Sequence, residues 1–391
     1  MSSEYWLVSA PSDPTCEETY RKLAEVTSNV ELTSNYKFSI PDLKVGTLDS
    51  LVALSDQLAK LDPFVEGLVR HVSQYIADIL GPEDLPRLHE NLLVGPGNNK
   101  VSMEAYLTKF QWENARFPPR QPLPSIVDLI SKLATQIDGD LKIKSGRYNT
   151  LRSSLQQLER KATGNLLSRS LIDIVKPEDF VQDSEYLQTL AVCVPRSLYR
   201  DWERKYESLG GCDMIVPRSS KKLDQDGEFG LFTVTLFKKV VDEFKLHCRE
   251  HKFIVRDFVY DPNAIKEERD EKGKLEIEMK KEFNPLMNWL KVNFSQAFSS
   301  WLHLKALRVF VESVLRYGLP VDFQAVLLKP SSKKAAKKLP SILKTHFEYL
   351  DTKAMVDDAM DDIDLPGLAT LTQKDYQSYV SLNVNLNVLE R

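Results

Sequence analysis

Between Pro285 and Pro320 the apolar residues Leu290, Phe294, Ala297, Trp301, Leu304, Leu307, Val311 and Val314 recur every three or four positions. That spacing predicts one continuous helical stripe. Phe298, Leu302, Val309 and Phe310 widen it until little more than one face stays polar. Pro285 fits a first helical position, and Gly318 with Pro320 supplies a stop, so the expected helix is roughly 50 Å long. A helix so nearly wrapped in apolar residues is expected at the centre of a helical domain.

Earlier in the chain, Tyr5–Val8 reads as a strand, followed by a helix through Arg21 and Val26 and a second strand through Tyr36, Phe38 and Ile40. Leu51, Leu54, Leu58, Leu61, Val65, Leu68, Val72 and Ile79 keep helical spacing up to Gly81-Pro82. Asp62-Pro63 inside that run has the form of an N-cap with proline at the first helical position, which predicts a kink or a fresh start. Ser102–Arg116 is expected as a helix stopped by Phe117-Pro118-Pro119. After Pro124, Ile126 to Ile137 and Tyr148 to Ala162 form two halves of a long helix with a polar middle. Asn263–Glu282 is also helix-like but dominated by alternating acids and bases, so it leans on one partner and otherwise faces water.

Between those two helices the texture changes. Strand-like Glu185–Val194, helical Tyr199–Leu209, strand-like Met214–Val216 and Phe229–Phe237, helical Lys239–Glu250 and strand-like Phe253–Tyr260 follow in the order βαββαβ, a ferredoxin-like arrangement. The fold class expected is α+β and elongated. Residues 1–124 and 285–391 form a helical foot with a small sheet near both termini, 125–165 and 263–284 an outgoing and a returning neck helix, and 166–262 an inserted head. The tail alternates Val380, Leu382, Val384, Leu386 and Val388 with polar residues. It reads as a strand with one buried face that joins the N-terminal strands. Phe323–Leu328, a lysine-rich loop, a helix around Ile342–Tyr349 and an acidic run from Asp357 to Asp364 lie between.

Composition narrows the function. A net charge of −4 argues against nucleic acid, because phosphate neutralisation needs a basic surface. Cys16, Cys193, Cys212 and Cys248 lack CxxC spacing and read as reduced thiols. Without a leader pattern or an apolar run near 18 residues, the expectation is a soluble intracellular protein.

Candidate chemistry is sparse. His247, Glu250 and His251 match H-x-x-E-H, yet no third metal ligand suggests itself, and five residues match easily by chance. Gly95-Pro96-Gly97-Asn98-Asn99-Lys100 fails the phosphate-loop pattern, and Pro96 removes a donor that such a cradle needs. Gly227–Phe232 falls one residue out of register with an RNA-stacking motif and has Asp226 where a basic residue belongs. Pro119-Arg120-Gln121-Pro122 satisfies PxxP but sits where a connector is expected. No nucleophile–base set can be assembled, so no catalytic residue, cofactor or metal is expected. Two groups remain as candidate partner surfaces. Lys305, Arg308, Glu312 and Arg316 form the polar face of the long helix, with i,i+4 pairs that are equally consistent with plain solvated surface. Lys333, Lys334, Lys337 and Lys338, with Lys329, form a basic cluster that reads as a solvated loop or as a dock for an acidic protein.

Several stretches resemble the C-subunit of the vacuolar-type proton-pumping ATPase: WLVSAP at Trp6–Pro11, IPDLKVGTLDSLVALSDQLAKLD at Ile40–Asp62, NLLSRSLIDIVKPEDFVQDSEYL at Asn165–Leu187, MIVPRSS at Met214–Ser220 and KFIVRDFVY at Lys252–Tyr260. The resemblance runs from end to end. It implies a non-catalytic stator and regulatory subunit whose head binds one E–G peripheral stalk heterodimer. The foot would bind another and the cytosolic N-terminal domain of the membrane-sector a-subunit. It also implies release when the soluble and membrane sectors separate, and actin as a further partner. The expected location is cytoplasmic, peripheral on the cytosolic face of vacuolar and other endomembranes through the complex. The alternative class is an actin-binding cross-linker using the lysine cluster.

Overall fold

The computed structural model describes residues 4–28, 32–84, 87–97, 99–182, 184–209, 214–350 and 377–388. The fold is mixed α and β, in two compact units: Met1–Ile143 with Leu286–Arg391, and Lys144–Pro285. The acidic run from Asp357 to Asp364 and Cys212 lie outside the described residues.

The first, discontinuous unit opens with β1 (Glu4–Pro11), α1 (Cys16–Ser28), β2 (Thr33–Lys37) and α2 (Leu48–Asp84). The short α3 (Leu88–Asn91), β3 (Leu93–Val94), β4 (Val101–Ser102) and α4 (Met103–Thr108) precede α5 (Leu123–Thr163), which continues into the second unit. That second unit adds β5 (Leu187–Pro195), α6 (Tyr199–Lys205), β6 (Lys221–Gln225), β7 (Phe229–Phe237), α7 (Val241–Glu250) and β8 (Ile254–Arg256). Helix α8 (Pro262–Tyr317) leads back into the first unit, completed by β9 (Phe323–Pro330), α9 (Lys333–His346) and β10 (Val380–Asn385).

The first unit's sheet has the order β10-β1-β9-β2. The tail strand pairs antiparallel with β1, from Glu4 opposite Asn385 to Ser9 opposite Val380. Its alternation works as the sequence implies, with Val380, Leu382 and Val384 buried and Asn383 exposed. On one sheet face Val8, Ala10, Val326 and Leu328 pack with Leu23 of α1 and Leu339 and Leu343 of α9.

The second unit's sheet has the order β6-β7-β5-β8, antiparallel throughout. Its central strand β5 is buried on both faces. Leu190, Val192 and Val194 meet Trp202 of α6 and Phe244 of α7, while Ala191 and Cys193 meet Leu166, Leu171 and Val175. Asp226 makes the turn into β7: its Oδ1 accepts the amides of Glu228 at 2.8 Å and Phe229 at 2.6 Å.

Several elements depart from the pattern reading. The long helix does not start at Pro285, which is internal to α8; it starts at Pro262. Asp261 caps it, with its Oδ1 accepting the Asn263 amide at 2.9 Å and its carbonyl accepting that of Ile265 at 3.0 Å. An aspartate-proline start thus sets the helix's beginning, and α8 runs on through an internal proline despite the lost hydrogen bond and the crowding of its ring against the preceding turn. Likewise α2 passes through Pro63 and departs from helical angles only at Gly81. The predicted helix 102–116 ends at Thr108; beyond it, Phe110, Trp112 and Phe117 turn inward around His303. The lysine-rich segment is helix, not loop. Ser332 caps α9 by accepting the Ala335 amide at 3.2 Å, and Ala335, Leu339 and Leu343 make the buried side. Finally, Met214–Val216 is a single bridge, Ile215 to Leu236. The partner strand of β7 is instead β6, whose sequence KKLDQ offers one apolar residue and no alternation.

Candidate functional site

The polar stripe of α8 turns inward at Lys305, is half-buried at Arg308 and Glu312, and reaches solvent at Arg316. Asp62 of α2 is 3% exposed. It occupies the stripe position four after Leu58 and three before Val65, both of which are fully buried. Its Oδ1 accepts Trp301 Nε1 at 3.1 Å; its Oδ2 accepts Lys305 Nζ at 2.8 Å and Arg308 Nη1 at 2.6 Å. Lys305, itself 4% exposed, also donates to the Asn383 carbonyl of β10 at 3.2 Å and lies 5.3 Å from the centre of the Trp301 ring. Arg308 continues to Glu312 at 3.3 Å. Arg316 donates to the backbone carbonyls of Gln377 and of Tyr379, the latter at 2.7 Å. The Tyr317 hydroxyl donates to the Ser9 carbonyl at 2.6 Å and accepts the Val380 amide at 3.1 Å.

Two of the four residues expected as a partner or solvent face, Lys305 and Arg308, are therefore committed to Asp62. A third, Arg316, fastens the backbone leading into β10. Burying a lysine needs a counter-charge and further hydrogen bonds, and Asp62 with the Asn383 carbonyl supplies both. Asp62 is hidden at the level of sequence because its proline neighbour imitates a cap. The usable signal is an acid at a stripe position on one helix and a lysine four residues from a tryptophan on another.

A second buried polar group lies further toward the start of α8. His303 Nε2 accepts the Glu113 amide at 2.9 Å, so its proton sits on Nδ1, which donates to the Ser299 carbonyl at 2.8 Å. Burial pushes the His303 imidazole down to about 4, against the opposing effects of the Ser299 carbonyl and the Glu113 charge. Glu113 Oε1 accepts the hydroxyls of Tyr106 at 2.7 Å and Ser299 at 2.6 Å. Burial raises the Glu113 carboxyl, but those two hydrogen bonds and nearby positive charge outweigh it and hold the group below its ordinary range. Glu113, Ser299, Arg116, Lys100 and Gly95 line a cleft of about 540 Å³. The Gly95 amide in that wall already donates to Ser295 Oγ at 3.1 Å, so this loop has spent the donor that a phosphate cradle would use.

Lys333, Lys334, Lys337 and Lys338 are gathered, with Lys344, on the exposed side of α9. Lys329 stands apart in β9, pairs with Glu104 and holds that carboxyl below its ordinary range. In the second unit, His247 Nδ1 lies 3.1 Å from Glu250 Oε2, and His251 follows at the end of α7. Among the described residues no group of three or more His, Cys, Asp or Glu side chains is arranged to hold a metal ion. Burial pushes the thiols of Cys193 and Cys248 up to about 11 and about 12, so neither is a ready nucleophile.

Residues 5–380 match the family model for the V-ATPase C-subunit. The chain belongs to that family. It is 52% identical over 391 residues to the V-type proton ATPase C-subunit of Manduca sexta, covering 100% of this chain and 99% of the relative. It is 51% identical over 389 residues to the C 1-B form of Danio rerio, with 99% of each covered, and 51% over 391 residues to the C 1 form of Bos taurus, again with 99% of each. For this member of the V-ATPase C-subunit family, the matched span takes in Asp62, Glu113, His303, Lys305 and all of α9 alike. Among its described residues no helix is long and apolar enough to cross a membrane.

Proposed function

We propose that this chain is a non-catalytic stator component of a V-type proton pump, tying peripheral stalks to the cytosolic part of the membrane sector. Family membership over nearly the whole chain carries the reading. The build is compatible with a mechanical role. Each unit has its own four-stranded sheet, and α5 and α8, of 41 and 56 residues, contribute to both. A strut must resist shear without chemistry of its own, and separate cores on long helices suit that task. In this reading the discontinuous unit is the foot, binding one E–G heterodimer and the N-terminal domain of the membrane-sector a-subunit. The second unit contains the head, binding another E–G heterodimer.

Release on separation of the two sectors belongs to the same reading, because a clasp has to let go. Polar interfaces of moderate size suit reversible docking. Calorimetric titration of the full chain with purified E–G heterodimer tests the bridge. Two heterodimers bound per chain is the expected result; a single site would overturn it. Fractionation supplies the second test: the chain should leave the membrane-bound pump when the soluble sector detaches, and retention in full on the membrane sector would exclude the clasp.

A further inference from the structure

We propose that the lysine face of α9 adsorbs directly onto an anionic lipid surface. This contact goes beyond the stator reading, which needs no lipid contact by this chain. No Asp or Glu occurs between Asp322 and Glu348, and α9 carries five lysines in 14 residues. At 100° per residue Lys333, Lys344, Lys337, Lys334 and Lys338 fall within an arc of roughly 140°, opposite the buried Ala335, Leu339 and Leu343. Lysines nearby are paired: Lys22 with Asp13, Lys37 with Glu17 and Lys329 with Glu104. None of the five on α9 makes an ion pair with a described acid.

Such a face works against its own helix. Lys333 with Lys337 and Lys334 with Lys338 are like charges at i,i+4, and four of the cations crowd the positive end of the helix dipole. An external anion relieves both. The residue types then select the kind of anion. The exposed positions of α9 are the five lysines, Ser341 and Thr345, with no arginine and no aromatic ring. Stereospecific protein interfaces are built on Arg, Trp and Tyr and are depleted in lysine. A headgroup layer asks only for cations held near it, at about 1 kcal/mol each. The apolar side of α9 is consumed by the sheet, so the contact is electrostatic and reversible, without insertion into the bilayer.

Flotation of the full chain with phosphatidylcholine vesicles, with and without phosphatidylserine, tests the proposal. Binding is expected only with phosphatidylserine, weakening as salt is raised. Changing Lys333, Lys334, Lys337 and Lys338 together to Gln should weaken it on the order of a thousandfold, while the same four changed to Arg keep it. Thermal unfolding verifies that both variants remain folded, and unchanged E–G binding separates this contact from the stator role. Equal binding to neutral vesicles, no binding to phosphatidylserine, or an undiminished Gln variant overturns the proposal. So does lysine-dependent co-sedimentation with actin filaments by a chain that ignores the vesicles, which would assign the face to an acidic protein.

Discussion

Lys305 and Lys337 belong to the same residue type in the same unit, and both stand in runs of charge that suggest a surface. One is 4% exposed and held by Asp62; the other is exposed on a helix with no acid of its own. The difference lies in the opposing helix. Polar spacing along α8 identifies a face but not what lies across from it, and across from it α2 places a carboxylate where a leucine would otherwise be. A cation stripe is an interface candidate only after the rest of the fold has been searched for its counter-charge.

The contrast predicts effects of very different size. Asp62→Ala strands a buried ammonium and should cost about 3–5 kcal/mol in chemical denaturation. The double variant Asp62→Leu with Lys305→Met should recover much of that, because it removes both charges together. A loss below about 1 kcal/mol for Asp62→Ala would mean that water reaches Lys305, and the distinction between the two lysines would collapse.

The His303–Glu113 group extends the same contrast to pH. The folded imidazole titrates at about 4, below its ordinary 6.5, so the unfolded chain binds the extra proton first as pH falls. Its stabilisation is complete above 6.5 and disappears as pH drops toward 4, about 3 kcal/mol in all. The depressed Glu113 carboxyl adds a further loss below its unfolded range. Denaturation midpoints measured between pH 7 and 4 should therefore slope downward with acid, and His303→Gln should flatten that slope. Smaller still, Arg316→Ala removes hydrogen bonds to two backbone carbonyls, costing about 1.5–3 kcal/mol, and should speed hydrogen exchange selectively in β10. Last, Gln at Lys333, Lys334, Lys337 and Lys338 should change stability by no more than about 0.5 kcal/mol, with any change in the stabilising direction as like charges separate.

Elements legible in the sequence are those whose burial is one-sided or complete. β7 runs from Phe229 to Phe237, as its apolar run predicts, and β10 shows its alternation directly. β6 is invisible because an edge strand made of KKLDQ keeps its side chains largely in water and owes its existence to backbone pairing. α9 is half-visible: its lysines suggest a loop, whereas Ser332 and the four-residue spacing of Ala335, Leu339 and Leu343 mark a helix only when taken together. The polar interior is the least legible part. Asp62, Glu113 and His303 are ordinary in sequence and acquire meaning through partners 186 to 246 positions away.

The strand order β10-β1-β9-β2 has a consequence for synthesis. Residues 4–11 leave the ribosome before the second unit does, yet both strands that flank them, 323–330 and 380–385, follow only after the whole of that unit. The four strands of the second unit lie within the continuous stretch 187–256 and are complete before either flanking strand is made. The inserted unit is thus placed to fold while the first strand still waits, unpaired, for its neighbours. Like β2, whose one neighbour is also β9, that waiting strand is exposed to mispairing until β9 has been made.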